Sequence, residues 1–213
     1  SRTASGRALT DAIRDGKIAR SEIPAYVARS LQRVVGNGFV EVWGPIESLG
    51  ADKEAVFAKY RNLLQRSQIS GANADRGRAI FEKTCQACHQ MHGQGGKVGP
   101  DISGANRNNL EYLLTNILTP SAEIQDAYRM HMILTEEGRV YSGIPVEENE
   151  RQLKLYVANK KEPITIAKAT IESREVAKVS MMPTGILDYM NDDEVRDLFA
   201  YLQSNAQDAR AKP

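Results

Sequence analysis

Two cysteines and the histidine directly after them are the residues of this chain best placed to do chemistry. They form the run Cys85-Gln86-Ala87-Cys88-His89. Two cysteines separated by two residues and followed at once by histidine are typical of a c-type haem attachment site. One turn of chain would present both thiols to the two vinyl groups of the porphyrin, and His89 would reach the iron as its proximal axial ligand. The spacing therefore predicts one covalent haem c, attached through Cys85 and Cys88.

The same residues allow two other interpretations. A structural zinc site would draw on four side chains close together in the sequence: Cys85, Cys88, His89 and His92. Zinc ligands normally come in pairs from two separated segments of chain, so this set would be strained. A thioredoxin-like dithiol would need strands alternating with helices, whereas the surroundings of Cys85 indicate a helix and a glycine-rich loop. Haem attachment accounts for the spacing better than either alternative.

The segment after the motif is rich in glycine and could wrap the edge of a flat cofactor. It covers residues 92–101, His-Gly-Gln-Gly-Gly-Lys-Val-Gly-Pro-Asp. Pro100 offers a carbonyl oxygen without an N–H of its own, and we expect this oxygen to accept a hydrogen bond from the ring of His89. Such a bond would fix the imidazole tautomer and raise its basicity as a ligand. The alternative is an ordinary surface turn, and in either case we expect His92 to be exposed.

A low-spin electron-transfer haem needs a second axial ligand, and a methionine sulfur raises the reduction potential. Met91 is too close to His89 in sequence to reach the opposite side of the iron. Met130 and Met132 alternate in a strand-like run, which predicts core packing for both. The full set of methionines is Met91, Met130, Met132, Met181, Met182 and Met190.

The remaining candidates lie in the segment Ser180-Met181-Met182-Pro183. A residue before proline is held extended, so Met182 can project from a loop. Neighbours in extended chain point to opposite sides, so only one of Met181 and Met182 should face the iron. Met182 is the predicted ligand, and Met181 is the alternative that a substitution must exclude.

Upstream of the motif, residues 75–84 are predicted to form a short helix with Asp75 as its N-cap. Gly77 and Phe81 lie four residues apart and therefore share one face. A glycine on that face would allow another helix to approach closely.

Near the C-terminus, residues 191–203 are predicted to form the helix that meets this face. Asn191 with Glu194 three residues later has the pattern of a capping box. The helix carries an apolar stripe at helical spacing, made of Val195, Leu198, Phe199 and Leu202. Together the two segments predict a helix crossing close to the cysteine motif.

With these motifs in this order, the chain resembles class I cytochrome c over about residues 73–206. More narrowly, it is similar to the haem-binding domain of the Pirellula/Verrucomicrobium type, which often follows helical HEAT-like repeats and sometimes a dehydrogenase domain. The motifs are Gly77…Phe81, Cys85-Gln86-Ala87-Cys88-His89, Gly99-Pro100-Asp101, residues 113–121, residues 135–139, residues 141–143, residues 180–185 and residues 197–202. Met181 departs mildly from the family, which tends to have another apolar residue there. The resemblance implies a periplasmic or otherwise extracytoplasmic location, since thioether attachment is completed outside the cytoplasm.

The expected fold class is mainly α: a class I cytochrome c fold with a small antiparallel β-sheet insertion, preceded by a helical segment. Residues 1–72 are assigned to that segment, with helices around Arg7–Arg14, Ser21–Val34 and Asp52–Gln68. They form either the end of a HEAT-like repeat array or a helical cap on the haem domain. Residues 73–213 are assigned to the monohaem cytochrome c domain.

Within the second domain, a helix with a broad apolar face is expected over Asn108–Leu118. Two hairpins should follow, one turning at residues 136–138 and one at residues 159–162. They predict a sheet inserted at about residues 127–170, with His131 on its outer side. Its exposed edge would serve a docking partner or a homodimer, or the sheet would act as a lid over one haem edge.

Composition supports a folded chain with no nucleic-acid partner. The 213 residues are 41% hydrophobic, and 28 basic against 27 acidic residues leave a net charge of +1. A nucleic-acid-binding protein would show a basic excess or stripe. No apolar run reaches the roughly 18 residues that a membrane span requires. The chain shows no signal peptide and starts at Ser1 without methionine, so we expect a fragment or a processed product.

The sequence thus predicts a one-electron carrier, not an enzyme, that accepts or relays electrons for a larger dehydrogenase-type protein or complex. Near-zero net charge gives little long-range steering, which favours a tethered or surface-docked redox partner. Two alternatives belong to other classes of protein. One is a haem-based gas or redox sensor, or a peroxidase, with a labile Met ligand. The other is a module whose main role is protein–protein assembly.

Overall fold

The structure is a computed structural model that describes residues 2–23, 25–44, 51–65, 69–157, 160 and 162–205. The main α-helices are α1 (Arg2–Arg14), α2 (Ala25–Val35), α3 (Asn37–Trp43), α4 (Ala51–Leu63), α5 (Ala74–Thr84), α6 (Leu110–Leu118) and α7 (Asp192–Gln203). None of the helices in the described ranges combines the length and the apolar character that crossing a bilayer requires.

The N-terminal helices differ from the prediction at their ends. α2 begins at Ala25 instead of Ser21, because a separate 3-10 turn precedes it. In that turn Oε1 of Glu22 accepts the backbone N–H of Ala19 at 2.9 Å. α3 was not predicted, and the expected end of the next helix at Gln68 lies outside the described residues.

Helices α5 and α7 cross at Gly77, which confirms the predicted helix crossing. A Cβ atom at Gly77 would overlap the backbone carbonyl oxygen of Asp197, so the two backbones are in direct contact there. Near the crossing the rings of Phe81 and Tyr201 pack with their centroids 5.5 Å apart. The helix that leads into the cysteine motif is therefore held by the C-terminal helix.

Side-chain caps set where these helices begin. Asn73, not Asp75, caps α5, because its side-chain oxygen accepts a backbone N–H three residues later at 2.9 Å. Asn109, not Asn108, caps α6 in the same way, at 3.1 Å. The predicted capping box at the start of α7 is present, with Asn191 as its N-cap.

The largest hydrophobic core lies among α4, α5, α6 and α7. Its fully buried members are Phe57, Tyr60, Leu63, Leu64, Phe81, Met91, Leu113, Leu114, Leu187, Val195, Leu198, Phe199, Tyr201 and Leu202. The first four belong to α4 and to the residue after it, upstream of the predicted domain boundary. The division into residues 1–72 and 73–213 stays a prediction, but α4 shares its core with the helices around the motif.

A second, smaller core joins α1, α2 and α3 through Ile13, Ala28, Leu31 and Phe39. Ion pairs connect this region to the larger core. Glu111 at the start of α6 forms ion pairs with Arg33 of α2 at 2.9 Å and with Arg61 of α4 at 2.7 Å.

The two guanidinium groups keep Glu111 ionised. Burial by itself raises the pKa of Glu111, but the hydrogen bonds from Arg61 and Arg33 outweigh it and the pKa falls below its usual value. Three helices thus meet at one half-buried carboxylate.

The sheet insertion is larger than predicted, so the chain is less dominated by helix than a mainly α fold. A two-stranded ribbon of β1 (Gln90–Met91) and β2 (Gln94–Gly95) precedes it. The main antiparallel sheet has the order β6-β5-β4-β3-β7. Its strands are β3 (His131–Thr135), β4 (Val140–Glu148), β5 (Gln152–Val157), β6 (Ile164–Ala167) and β7 (Ile171–Val176).

Both predicted hairpins are confirmed, since β3 pairs with β4 and β5 pairs with β6. The unexpected strand is β7, which pairs with β3 and extends the sheet beyond residue 170. Nearly all of its residues are exposed, so it lacks the apolar alternation by which a half-buried strand is recognised.

The sheet has a core of its own, formed by Ile133, Leu153, Leu155 and Ile166 with flanking apolar side chains. The expected core packing of Met132 is wrong, because 38% of that residue is exposed. His131 was expected on the outer side of the sheet, yet it is half-buried. It lies two residues from Ile133 on the same face, and Nε of Arg174 donates to its Nδ1 at 2.8 Å.

Candidate functional site

The cysteine motif forms a single turn at the end of α5. The N–H of Cys85 donates to the Phe81 carbonyl at 2.8 Å and closes the helix. The N–H groups of Cys88 and His89 then both donate to the Cys85 carbonyl, at 3.1 and 3.0 Å. Both thiols and the imidazole therefore project from one compact turn, the arrangement that attachment to a flat cofactor requires.

The two thiols lie in different environments. Cys85 is half-buried, and burial together with the nearby Cys88 raises the pKa of its thiol to about 11. Cys88 is exposed, and the two are not joined in a disulfide. Cys85 is thus a neutral thiol at physiological pH, packed against the main hydrophobic core.

The four candidate zinc ligands do not converge. Among the described residues, no group of three or more His, Cys, Asp or Glu side chains is arranged to hold a metal ion. Cys85, Cys88, His89 and His92 belong to the described part of the chain and form no such group.

The ring of His89 has the predicted partner. Its Nδ1 lies 3.0 Å from the carbonyl oxygen of Pro100. Because a carbonyl can only accept, Nδ1 carries the proton, and Nε2 keeps its lone pair for a metal. The contact fixes both the tautomer and the direction of the imidazole.

The glycine-rich segment is fastened to the motif instead of forming a free surface turn. Gly96 N–H donates to the Gln86 carbonyl at 2.8 Å, and Gly99 N–H donates to the Cys88 carbonyl at 2.7 Å. His92, expected to be exposed, is half-buried, and its N–H donates to Oγ of Ser103 at 2.7 Å.

Gly99 lies directly against the imidazole. A Cβ atom there would be 2.6 Å from Cε1 and 2.8 Å from Nδ1 of His89, closer than real contacts allow. A Cβ at Gly96 would overlap the carbonyl oxygen of Ala87. Only residues without a side chain let this loop follow the motif so closely.

The methionine segment lies between β7 and α7. Met181 and Met182 are both half-buried, so burial does not distinguish them. Met182 N–H donates to Oγ of Ser180 at 3.1 Å, and Ser180 N–H donates to Oγ of Ser121 at 3.0 Å. Beyond the segment, Leu187 enters the core that also contains Phe81 of α5.

Two residues that support the site were not anticipated from the sequence. Asp197 is buried at the helix crossing, where it accepts from the backbone N–H of Asn73 and from Nε of Arg76, both at 2.6 Å. Arg107 donates to the carbonyl of Leu202 at 2.5 Å, at the C-terminal end of α7. A charged residue in a helix or loop is usually solvated, so the sequence carried no signal for either contact.

Comparison with known families adds one match in this region. Residues 74–135 match the family model for cytochrome c. The match covers α5, the cysteine turn, the glycine-rich loop and α6, which supports a cytochrome c domain here. It covers less than half of the chain and ends before the methionine segment. No match was found among curated proteins.

The cytochrome c family implies covalently bound haem c and haem-based electron transfer. The residues present fit that group. Cys85 and Cys88 lie on one turn, Nδ1 of His89 is held by Pro100, and Gly99 leaves room against the ring. A side chain at Gly99 would occupy the space that the imidazole of His89 needs.

Partners that orient a metal-bound histidine typically contribute about 10- to 100-fold to metal affinity or activity. We therefore expect Gly99→Ala to reduce the haem content of the purified protein about tenfold. The added methyl group would push the ring of His89 off Pro100. Haem absorbance per mole of protein measures the effect. Gly104→Ala is the control, because a Cβ at Gly104 meets nothing within 4 Å. Equal haem content in the Gly99 variant and the wild type would contradict this expectation.

Proposed function

We propose that the cytochrome c domain is a one-electron carrier with a single covalent haem c. Cys85 and Cys88 form the thioether bonds, His89 is the proximal ligand and Met182 is the distal ligand. The observation that carries the proposal is the hydrogen bond between Nδ1 of His89 and the Pro100 carbonyl, which would leave the lone pair of Nε2 available to an iron atom. The haem would supply a one-electron iron couple, and no substrate is transformed.

The chain's own residues would set the properties of that couple. Pro100 strengthens His89 as a donor ligand, and a methionine sulfur opposite it raises the potential. Cys85 packs against the main hydrophobic core, so the thioether bond at this cysteine would hold one side of the haem next to apolar side chains. Attachment through two cysteines keeps that side in place during each transfer.

Substitution of the two methionines tests the distal ligand. Met182→Leu should abolish the far-red sulfur-to-iron absorption and lower the reduction potential by about 0.2 V, part of the roughly 0.8 V range that axial ligands span. Met181→Leu is the matched control and should leave both unchanged. Reduced-minus-oxidised spectra and a redox titration measure the two quantities.

The opposite result, with the absorption band lost only in Met181→Leu, would identify Met181 as the distal ligand. Rapid binding of CO by the reduced wild-type protein at neutral pH would instead favour the alternative function. That alternative is a gas or redox sensor, or a peroxidase, with a labile Met ligand.

The wider context is also a proposal. The motifs shared with the Pirellula/Verrucomicrobium type support an extracytoplasmic protein that relays electrons for a dehydrogenase-type partner, with a HEAT-like helical array before the domain. β6 and β7 are the outer strands of the sheet, so each offers backbone groups to an added strand. We propose this insertion as the place where a redox partner or a second copy docks.

A further inference from the structure

Tyr60 of α4 connects the helix upstream of the motif to the chain that follows Met182. Its side chain is fully buried, and its hydroxyl donates to Oδ1 of Asp188 at 3.2 Å. Asp188 belongs to the 3-10 turn Ile186–Tyr189, which begins four residues after Met182. The two residues are far apart in sequence, so the contact joins two separate parts of the fold.

The turn that carries Asp188 is held by its own backbone hydrogen bonds and by one buried side chain. Gly185 caps it with a left-handed backbone, φ 74°, which favours glycine. The N–H of Asp188 donates to the Gly185 carbonyl at 3.0 Å, and the N–H of Met190 donates to the Leu187 carbonyl at 3.2 Å. Leu187 is only 1% exposed and fills the main core. Movement of Met182 away from the site would have to pull on this turn.

The other end of the contact is equally fixed. Phe57 and Leu64 of the same helical region are 2% exposed and belong to the main core. Arg61, the residue after Tyr60, pairs with Glu111 of α6 at 2.7 Å. The hydroxyl of Tyr60 is therefore presented from a helix with little freedom to follow a moving loop.

The donor keeps its proton under all ordinary conditions. Burial, followed by the charge and hydrogen bond of Asp188, raises the pKa of Tyr60 to about 12. The direction of the hydrogen bond is thus constant at neutral pH, from the phenol to the carboxylate.

We propose that Tyr60 is a positioning residue for the methionine segment. Its hydrogen bond to Asp188 holds residues 181–188 against the core, so that α4 sets how firmly Met182 stays on the iron. The inference rests on the proposed His/Met ligation for its consequence at the iron, but not for its effect on the segment. It gives α4, which lies outside the sequence motifs, a part in the redox site.

The test uses the haem-loaded protein with Tyr60→Phe, which removes one hydroxyl and leaves the ring. Tyr189→Phe is the matched control, because Tyr189 lies in the same turn and is 92% exposed. Loss of one hydrogen bond should raise the open fraction of the segment about fivefold. Amide hydrogen exchange at Asp188 and Met190 should then be about fivefold faster in Tyr60→Phe and unchanged in the control.

A second readout follows the iron directly. CO can bind the reduced protein only when Met182 has left, so its observed binding rate scales with the open fraction and should also rise about fivefold. Asp188→Asn keeps an acceptor oxygen but loses the charge, so its rates should lie between those of the wild type and Tyr60→Phe, whereas Asp188→Ala should behave like Tyr60→Phe. Unchanged exchange and unchanged CO binding in Tyr60→Phe would overturn the inference.

The two proposals fail in different ways. Faster exchange at Asp188 in Tyr60→Phe, in a protein whose wild type lacks the far-red absorption, would overturn Met182 ligation while supporting the positioning of the segment. Normal far-red absorption with exchange unaffected by Tyr60→Phe would support the ligation and overturn the positioning role.

Discussion

Gly77→Ala is expected to destabilise the protein by about 3 kcal/mol, the upper part of the range for overpacking a closely fitted contact. The added Cβ would overlap the carbonyl oxygen of Asp197 and lie 2.9 Å from Cβ of Tyr201, both on α7. Because a backbone atom cannot move aside as the end of a side chain can, α5 and α7 would have to separate. Urea unfolding of the haem-loaded protein, followed by far-UV circular dichroism, measures the loss.

Gly38→Ala separates this contact from the general effect of removing a helical glycine. Gly38 lies in α3, and a Cβ there would meet only a side-chain atom of Val35 at an ordinary 3.9 Å. Alanine is favoured over glycine inside helices by about 1 kcal/mol, so this variant should be neutral or slightly more stable. Equal stability changes in the two variants would show that the crossing tolerates a side chain.

Asp197→Asn is expected to cost about 2 kcal/mol at pH 7, because an amide cannot replace the charge-assisted bonds of a buried carboxylate. The carboxylate is only 4% exposed and binds Arg76 and the N–H of Asn73, which caps α5. Burial alone raises the pKa of Asp197, but the bonds from Arg76 and Asn73 outweigh it and the pKa lies below its ordinary 3.8. Urea unfolding at several pH values measures the effect.

The lowered pKa of Asp197 sets where the difference should disappear. A carboxyl group with a lowered folded-state pKa contributes its stability above the unfolded value, near 3.8, and loses it as the pH falls further. Wild type and Asp197→Asn should therefore converge in stability below about pH 3.8. Asp193→Asn, one turn away with a side chain 83% exposed, should change stability by less than about 0.5 kcal/mol at any pH. A constant gap between wild type and Asp197→Asn down to pH 2 would refute the assigned role.

Local chemistry made the turn at the cysteines predictable from sequence. Cys85, Cys88 and His89 are adjacent, and the carbonyl of Pro100 is only eleven residues from His89. The crossing at Gly77 could also be predicted from sequence, since a glycine on the same helix face as Phe81 indicates that another element approaches closely there. The two hairpins followed from short apolar runs around turn residues, a pattern that extends over only a few neighbours.

Features that depend on distant residues could not be predicted in the same way. Tyr60 looked like one more member of an apolar helical face, and its hydroxyl partner is 128 residues away. β7 is an exposed edge strand whose pairing with β3 leaves no periodic pattern in its own sequence. α3 contains Gly38, which argues against a helix, yet the full burial of Phe39 outweighs that preference.

The sheet leaves the helical part of the protein and returns to it at almost the same point. The N–H of Ala177, just after β7, donates to the carbonyl of Met130, just before β3, at 2.8 Å. Strands β3 to β7 lie between these two residues, and they bury Ile133, Leu153, Leu155 and Ile166 in a core of their own. Strands could therefore be inserted, deleted or substituted in this sheet without changing the path of the chain through α5, α6 or α7. Exchange of these strands would therefore change the proposed docking surface and leave the proposed iron ligands in place.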